Sequence, residues 1–187
     1  MATEEEENYF HQREVDRRKE KRRELERAAT EAAEKRKVAA TLATDDEALV
    51  TRIRELGFDG DTARVLDLLP LVHVAWADGS VSANERRAIT SILAQREIEA
   101  GTEAALLIEA LMDERPSETF LSETLELLRD LGGKKGASVV ELCMQIADSS
   151  GGFFGLGNKI SDEEAALIAE IAAGLGETAH AKFSETL

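Results

Sequence analysis

The sequence predicts an all-α fold: a compact bundle of about seven helices, built on two helix–turn–helix pseudo-repeats and preceded by a long charged helix. Three observations predict it. Apolar residues recur at helical spacing through most of residues 41–187. Nowhere do β-branched residues alternate over a strand-length run. The charged stretch from Arg13 to Lys37 contains neither Gly nor Pro and consists mostly of strong helix formers.

The first 43 residues read as one arm. Glu4-Glu5-Glu6-Glu7 and Asn8-Tyr9-Phe10-His11 open it, and dense charge follows. Opposite charges fall at helical spacing in Glu14 with Arg18, Glu31 with Lys35, Asp16 with Lys19, and Glu24 with Arg27. Each such pair contributes only a few tenths of a kcal/mol, but several together support a solvated helix. Val15, Leu25 and Val38 are too few for a packed face, and no heptad pattern is sustained. Two readings stay open: a solvent-exposed helix, and a docking arm that anchors on a partner through Tyr9-Phe10.

Residues 44–187 read as the bundle. Thr44-Asp45-Asp46-Glu47 predicts a capping box for a helix that stops at Gly57. Asp61 is placed to cap the next, with Val65, Leu68, Leu69, Val72 and Trp76 on one side and Pro70 breaking or kinking it. Ser82 opens a helix with the stripe Ile89, Ile92, Leu93. Leu107, Ile108 and Leu111 mark another, ending before Pro116. Leu121, Leu125 and Leu128 recur at i, i+4, i+7 in a helix closed by Gly132-Gly133. Val139, Val140, Cys143 and Ile146 form a further stripe, and Ser161 starts a helix with Leu167, Ile168 and Ile171 that ends near Gly174.

Charge separates the two units. The chain of 187 residues carries a formal net charge of -15. Residues 1–40 hold 11 basic and 11 acidic residues, so residues 41–187 carry all of it. Such acidity argues against nucleic acid, which proteins hold with Lys and Arg. The single cysteine excludes a disulfide framework and a thiolate metal site, and fits a reducing compartment. No charge-free stretch is longer than Leu68–Ala77, well short of the roughly 18 apolar residues of a membrane span. The acidic N-terminal stretch lacks the apolar core of a secretory signal, so the expected location is cytoplasmic.

An internal repeat is the most informative feature. Val72-His73-Val74-Ala75-Trp76-Ala77-Asp78 aligns with Leu142-Cys143-Met144-Gln145-Ile146-Ala147-Asp148. Downstream, Val81-Ser82-x-x-Glu85-x-x-x-Ile89-x-x-Ile92 aligns with Ile160-Ser161-x-x-Glu164-x-x-x-Ile168-x-x-Ile171. Asp78 and Glu85 are 7 apart, Asp148 and Glu164 16 apart, and the extra length is the glycine-rich loop Ser149 to Lys159. A helix ending in Asp, a turn, and a Ser-x-x-Glu helix start therefore occur twice.

The stretch Leu71-Val72-His73-Val74-Ala75-Trp76-Ala77-Asp78-Gly79-Ser80-Val81-Ser82-x-x-Glu85-Arg86 resembles the first signature of the tellurite-resistance protein B (TerB-like) family. The stretch from Ala147-Asp148 through the glycine loop to Asn158-Lys159-Ile160-Ser161-x-x-Glu164 resembles its second. The likeness covers roughly residues 45–180 and leaves the arm unmatched. It implies an all-helical fold of about seven helices and a divalent-metal site lined by acidic residues of both motifs. Carried over by position, the candidate ligands are Asp78, Glu85, Asp148 and Glu164. It also implies a role in stress response or metal sensing, often as one module of a larger assembly. The second turn departs from the first, with Ser149 where the first has Gly79.

An all-oxygen set suits calcium, magnesium or manganese, whereas zinc would favour His or Cys. The spacing does not fit an EF-hand, because Asp78 to Glu85 is too short for its loop. The same residues also have a purely conformational reading: Ser82-x-x-Glu85 and Ser161-x-x-Glu164 are capping boxes, and Asp78 before Gly79 shapes a turn. His73 and Cys143 sit on core stripes. Gly152 and Gly157 have the spacing of a phosphate loop, but Asn158 intervenes before Lys159 and no strand precedes. Phe153 and Phe154 either pack that loop on the core or form a small apolar contact patch. No nucleophile–base motif appears, so no enzymatic activity is expected.

The sequence thus predicts a non-enzymatic, divalent-cation-binding sensor or adaptor. A protein partner is expected through residues 1–40 or the Phe153-Phe154 loop, with no nucleic acid and no membrane span. The alternative is an interaction or regulatory protein acting through the arm, with the acidic turns serving only as caps. Glu6-Glu7-Asn8-Tyr9-Phe10 and the charged run after it resemble, over about 20 residues, the inhibitory segment of the mitochondrial ATP synthase inhibitor protein.

Overall fold

Capping chemistry sets where most of the helices begin. The computed structural model describes residues 4–132, 134–150 and 160–186. Helix α1 spans Glu4–Leu42 and α2 spans Glu47–Glu55. The residue that caps α2 is Asp46, whose carboxylate accepts from the backbone N–H groups of Ala48 and Leu49. Thr44, expected to do this, instead accepts from Asp46 N at 3.3 Å. A short acidic side chain immediately before the helix reaches the free N–H groups that a residue two positions earlier cannot.

A 3-10 turn, η1 (Thr62–Leu68), runs directly into α3 (Leu69–Ala75). Asp61 makes no capping bond there. Asp59 does the work instead, accepting from Asp61 N at 3.0 Å and Thr62 N at 2.9 Å. Those backbone N–H donors hold its carboxyl below the usual carboxylate range. Pro70 lies in the first turn of α3, where a missing N–H costs nothing, and so divides one apolar stretch into two elements.

The remaining helices are α4 (Ala83–Gln95), α5 (Glu103–Asp113), α6 (Glu118–Asp130), α7 (Lys134–Ser150), α8 (Asp162–Leu175) and α9 (Glu177–Thr186). No strand occurs among the described residues. Gly176 closes α8 at φ +102, so the helix ends at Leu175, one residue beyond the end expected near Gly174, and Gly132 closes α6 at φ +111.

Every residue of α3 is buried, and its neighbours are η1, α4, α5, α6, α7 and α8. This short helix is the hub of the core. Helix α7 lies against it and also contacts α4, α8 and α9. Phe58 and Phe120 stack at 6.2 Å between the end of α2 and the start of α6. The Arg52–Asp130 pair at 2.6 Å joins α2 to α6 outside them.

Helix α1 joins the bundle only at its C-terminal end. Val38 and Leu42 are buried, and α1 packs there on α2 and η1. Thr41 Oγ1 donates to the carbonyl of Gly60 at 2.8 Å. A Cβ on Gly60 would stand 2.5 Å from Lys37 Cβ, so glycine lets the two backbones meet. From His11 back to Tyr9, and through most of residues 12–31, side chains are exposed. Pairs Glu14–Arg18, Asp16–Lys19 and Glu31–Lys35 form as their spacing predicts. Glu24, in contrast, turns to Lys21 at 3.0 Å rather than to Arg27.

Candidate functional site: two acidic turns

The first turn connects α3 to α4. Asp78 is exposed and its Oδ1 accepts from Ser80 N at 3.0 Å, with Gly79 at φ +97 completing the reversal. Four residues on, Ser82 and Glu85 form a reciprocal capping box: Glu85 N donates to Ser82 Oγ at 3.2 Å, and Ser82 N donates to Glu85 Oε2 at 2.7 Å. Glu85 is only 1% exposed.

The second copy repeats this box almost atom for atom. Glu164 N donates to Ser161 Oγ at 3.1 Å and Ser161 N to Glu164 Oε2 at 2.7 Å, with Glu164 4% exposed. Both boxes were legible in the Ser-x-x-Glu spacing. The approach to them is not equivalent. Where α3 has ended at Ala75 before Asp78, α7 continues through Asp148 to Ser150. Ser149 Oγ donates to Ile146 O at 2.6 Å, a bond that lets the serine stay helical where Gly79 turns. Asp148 is therefore an exposed residue of a helix rather than of a turn. The Phe153-Phe154 loop lies outside the described residues.

Electrostatics tie the two copies together. Burial pushes the Glu85 carboxyl above the ordinary glutamate range, and the bonds from Ser82 partly oppose this. The carboxylates of Asp78 and of Glu164 both push it the same way as burial. Two other candidate residues thus act on Glu85, one of them from the second copy of the repeat. As the side chains stand, no group of three or more His, Cys, Asp or Glu among the described residues is arranged to hold a metal ion. The two glutamates are committed to helix starts.

Two residues outside the candidate ligand set fix the first turn. Trp76 Nε1 donates to Leu111 O at 2.9 Å, and Arg86 reaches Met112 O at 3.2 Å and Asp113 at 2.7 Å. Both clamp the turn to the C-terminal end of α5. Trp76 was legible as a member of an apolar stripe and of the repeat, and Arg86 only as part of the quoted motif. His73 and Cys143 are both buried, as their stripes predict, and burial raises the Cys143 thiol strongly. His73 Nε2 has no hydrogen-bond partner among the described residues.

A family model described as Tellurite resistance protein TerB matches residues 68–184. It starts later than the likeness read from the sequence, at the last residue of η1, and takes in α3 to α8, most of α9 and both acidic copies. No curated protein and no solved structure matches the chain. With more than half of its length matched and with an all-helical fold, the chain belongs to the TerB family.

Proposed function

We propose that this protein is a non-enzymatic module that binds a divalent cation at its acidic turns and acts as a stress-response or metal sensor or adaptor. In this reading the chain divides into an arm, residues 1–43, and a TerB-like domain, residues 44–187. The observation that carries it is the buried Glu85, whose charge both Asp78 and the Glu164 of the other copy disfavour, with Glu164 itself almost fully buried. Like charges brought together from both repeats oppose one another, and a cation relieves that opposition. The donors are all carboxylate oxygens, which suits calcium, magnesium or manganese. Asp78 and Asp148 are the exposed members and would supply the entry side.

Calorimetric titration with each of the three cations tests the reading. Heat of binding in the unmodified chain, reduced in Asp78→Asn and Asp148→Asn, is the expected result. No heat with any of the three ends the cation proposal and leaves the acidic turns as caps. A second reading makes the arm the active part, docking on a protein partner; the exposure of Tyr9 and Phe10, at 58% and 64%, favours it. Deleting residues 1–30 should then abolish capture of that partner.

A further inference from the structure

A cleft of about 270 Å³ lies at the foot of the arm, between the C-terminal ends of α1, α4 and α6 and the side of η1. None of the four candidate cation ligands lines it. Its wall is aliphatic: Leu42, Ala63, Leu66, Ile98 and Leu128 are buried, and Leu131 is half-buried.

The charged residues that line it run against the sign of the domain. Residues 41–187 carry the whole -15, yet here Arg64 and Arg96 accompany a single carboxylate, Asp67, which leaves one positive charge over. The clefts between α6 and α8 and between α4 and α5 are lined by glutamates and no basic residue. Arg96 Nη1 donates to Asp67 Oδ1 at 2.6 Å, both side chains being half-buried. Arg64 is exposed and uses only Nη2, which donates to the carbonyls of Arg96 and Glu97 at 3.3 Å. The two guanidiniums make no other hydrogen bond among the described residues, so each keeps two nitrogens as donors.

We propose that this cleft binds a small aliphatic monocarboxylate, its chain on the leucine wall and its carboxylate held by Arg64 and the unused edge of Arg96. Two features set the class. A carboxylate brings the one negative charge that balances the cleft, where a phosphate group near pH 7 would bring almost two. The volume equals that of about nine water molecules at roughly 30 Å³ each, which matches a chain of about eight carbons with its head group. Thr41 and Leu42, which fasten α1, border the same cleft, so the occupant rests against the seat of the arm. The inference is independent of the cation and of any partner of the arm.

Calorimetric titration of the full chain with octanoate, octanol and octylamine, each below its micelle concentration, tests it. Octanoate is expected to bind, and the neutral and cationic analogues to bind about tenfold or more weakly, since they forgo charge-assisted bonds to guanidinium. Arg64→Gln should weaken octanoate by about three- to tenfold. Asp67→Asn should tighten it, because the carboxylate that competes for Arg96 is gone. Hydrogen exchange locates the site: octanoate should slow the amides of residues 41–42, 63–67 and 96–98. Far-UV circular dichroism checks that the variants keep their helices, and the ligand series on the unmodified chain decides the matter even where a variant does not fold. No heat with octanoate overturns the proposal, as do equal affinities for the three compounds or exchange slowed only elsewhere.

Discussion

The indole of Trp76 donates to the carbonyl of Leu111 at 2.9 Å, so the end of α3 is fastened to the end of α5. Arg86 grips Met112 and Asp113 from the other side of the turn. The first acidic turn is thus bracketed by two contacts to one helix terminus. Trp76→Phe keeps most of the packing and removes the bond, and should cost about 1 kcal/mol. Arg86→Ala should cost a similar amount, and the double variant more than either. Urea denaturation followed by far-UV circular dichroism measures all three; two costs of zero would show that the bracket holds nothing.

The capping boxes make a prediction of opposite signs. Ser82→Ala and Ser161→Ala each remove an acceptor for a helix N–H and should destabilise by about 1 kcal/mol. Glu85→Gln behaves differently. Its amide oxygen still accepts from Ser82 N, while the buried charge opposed by Asp78 and Glu164 disappears. Glu85→Gln should therefore be neutral or stabilising at pH 7, and Glu85→Ala destabilising, in thermal melts of the metal-free chain.

His73 gives the pH dependence its clearest window. Burial lowers its pKa from 6.5 to about 4, with Glu118 opposing and Arg115 adding to the effect. The unfolded chain takes up this proton below pH 6.5 and the folded chain only near 4, so stability is complete above that window and falls as pH drops through it. The loss is on the order of 3 kcal/mol, from a shift of that size at about 1.4 kcal/mol per unit. Glu85, raised by burial, slopes the other way. Subtracting the profile of His73→Leu from that of the unmodified chain isolates the histidine. Parallel profiles between pH 6.5 and 4 would refute its assignment.

The base of the arm should be sensitive and its outer part should not. Removing residues 1–30 deletes, among the described side chains, only exposed ones and the half-buried Val15, and should leave the melting temperature nearly unchanged. Val38→Ala removes part of a fully buried side chain and should cost about 2 kcal/mol. Gly60→Ala drives a methyl group into Lys37, 2.5 Å away, and should cost about 1–3 kcal/mol by displacing α1. Calorimetric melts of the three variants give the comparison.

Elements whose determinants lie within a few residues of one another were readable in advance. The Ser82–Glu85 and Ser161–Glu164 boxes belong to this group, as do the stripes on α4, α6 and α8, and the break at Pro70. Competition between adjacent acidic residues was not readable: Asp46 rather than Thr44 caps α2, and Asp59 rather than Asp61 orders the start of η1. Spacing cannot say which of several near-equivalent oxygens the backbone will meet. Asp78 and Asp148 sit in unequal settings because α3 stops at Ala75 while α7 runs on to Ser150, and the sequence shows Gly79 against Ser149 but not where each helix stops. The Trp76–Leu111 bond spans 35 residues and depends on how α3 and α5 pack, which no local pattern encodes.

The single unbroken run of α1 also has a mechanical consequence. It is anchored over little more than its final turns, at Val38, Thr41 and Leu42, and is free beyond them. A tilt of about 5° at that anchor swings Tyr9 by roughly 4 Å, given a rise of 1.5 Å per residue along a straight helix. Helix α2 and η1, which form the seat, therefore act as a fulcrum. Any change that shifts them by a few tenths of an ångström is read out at the far end as a displacement about the size of a side chain.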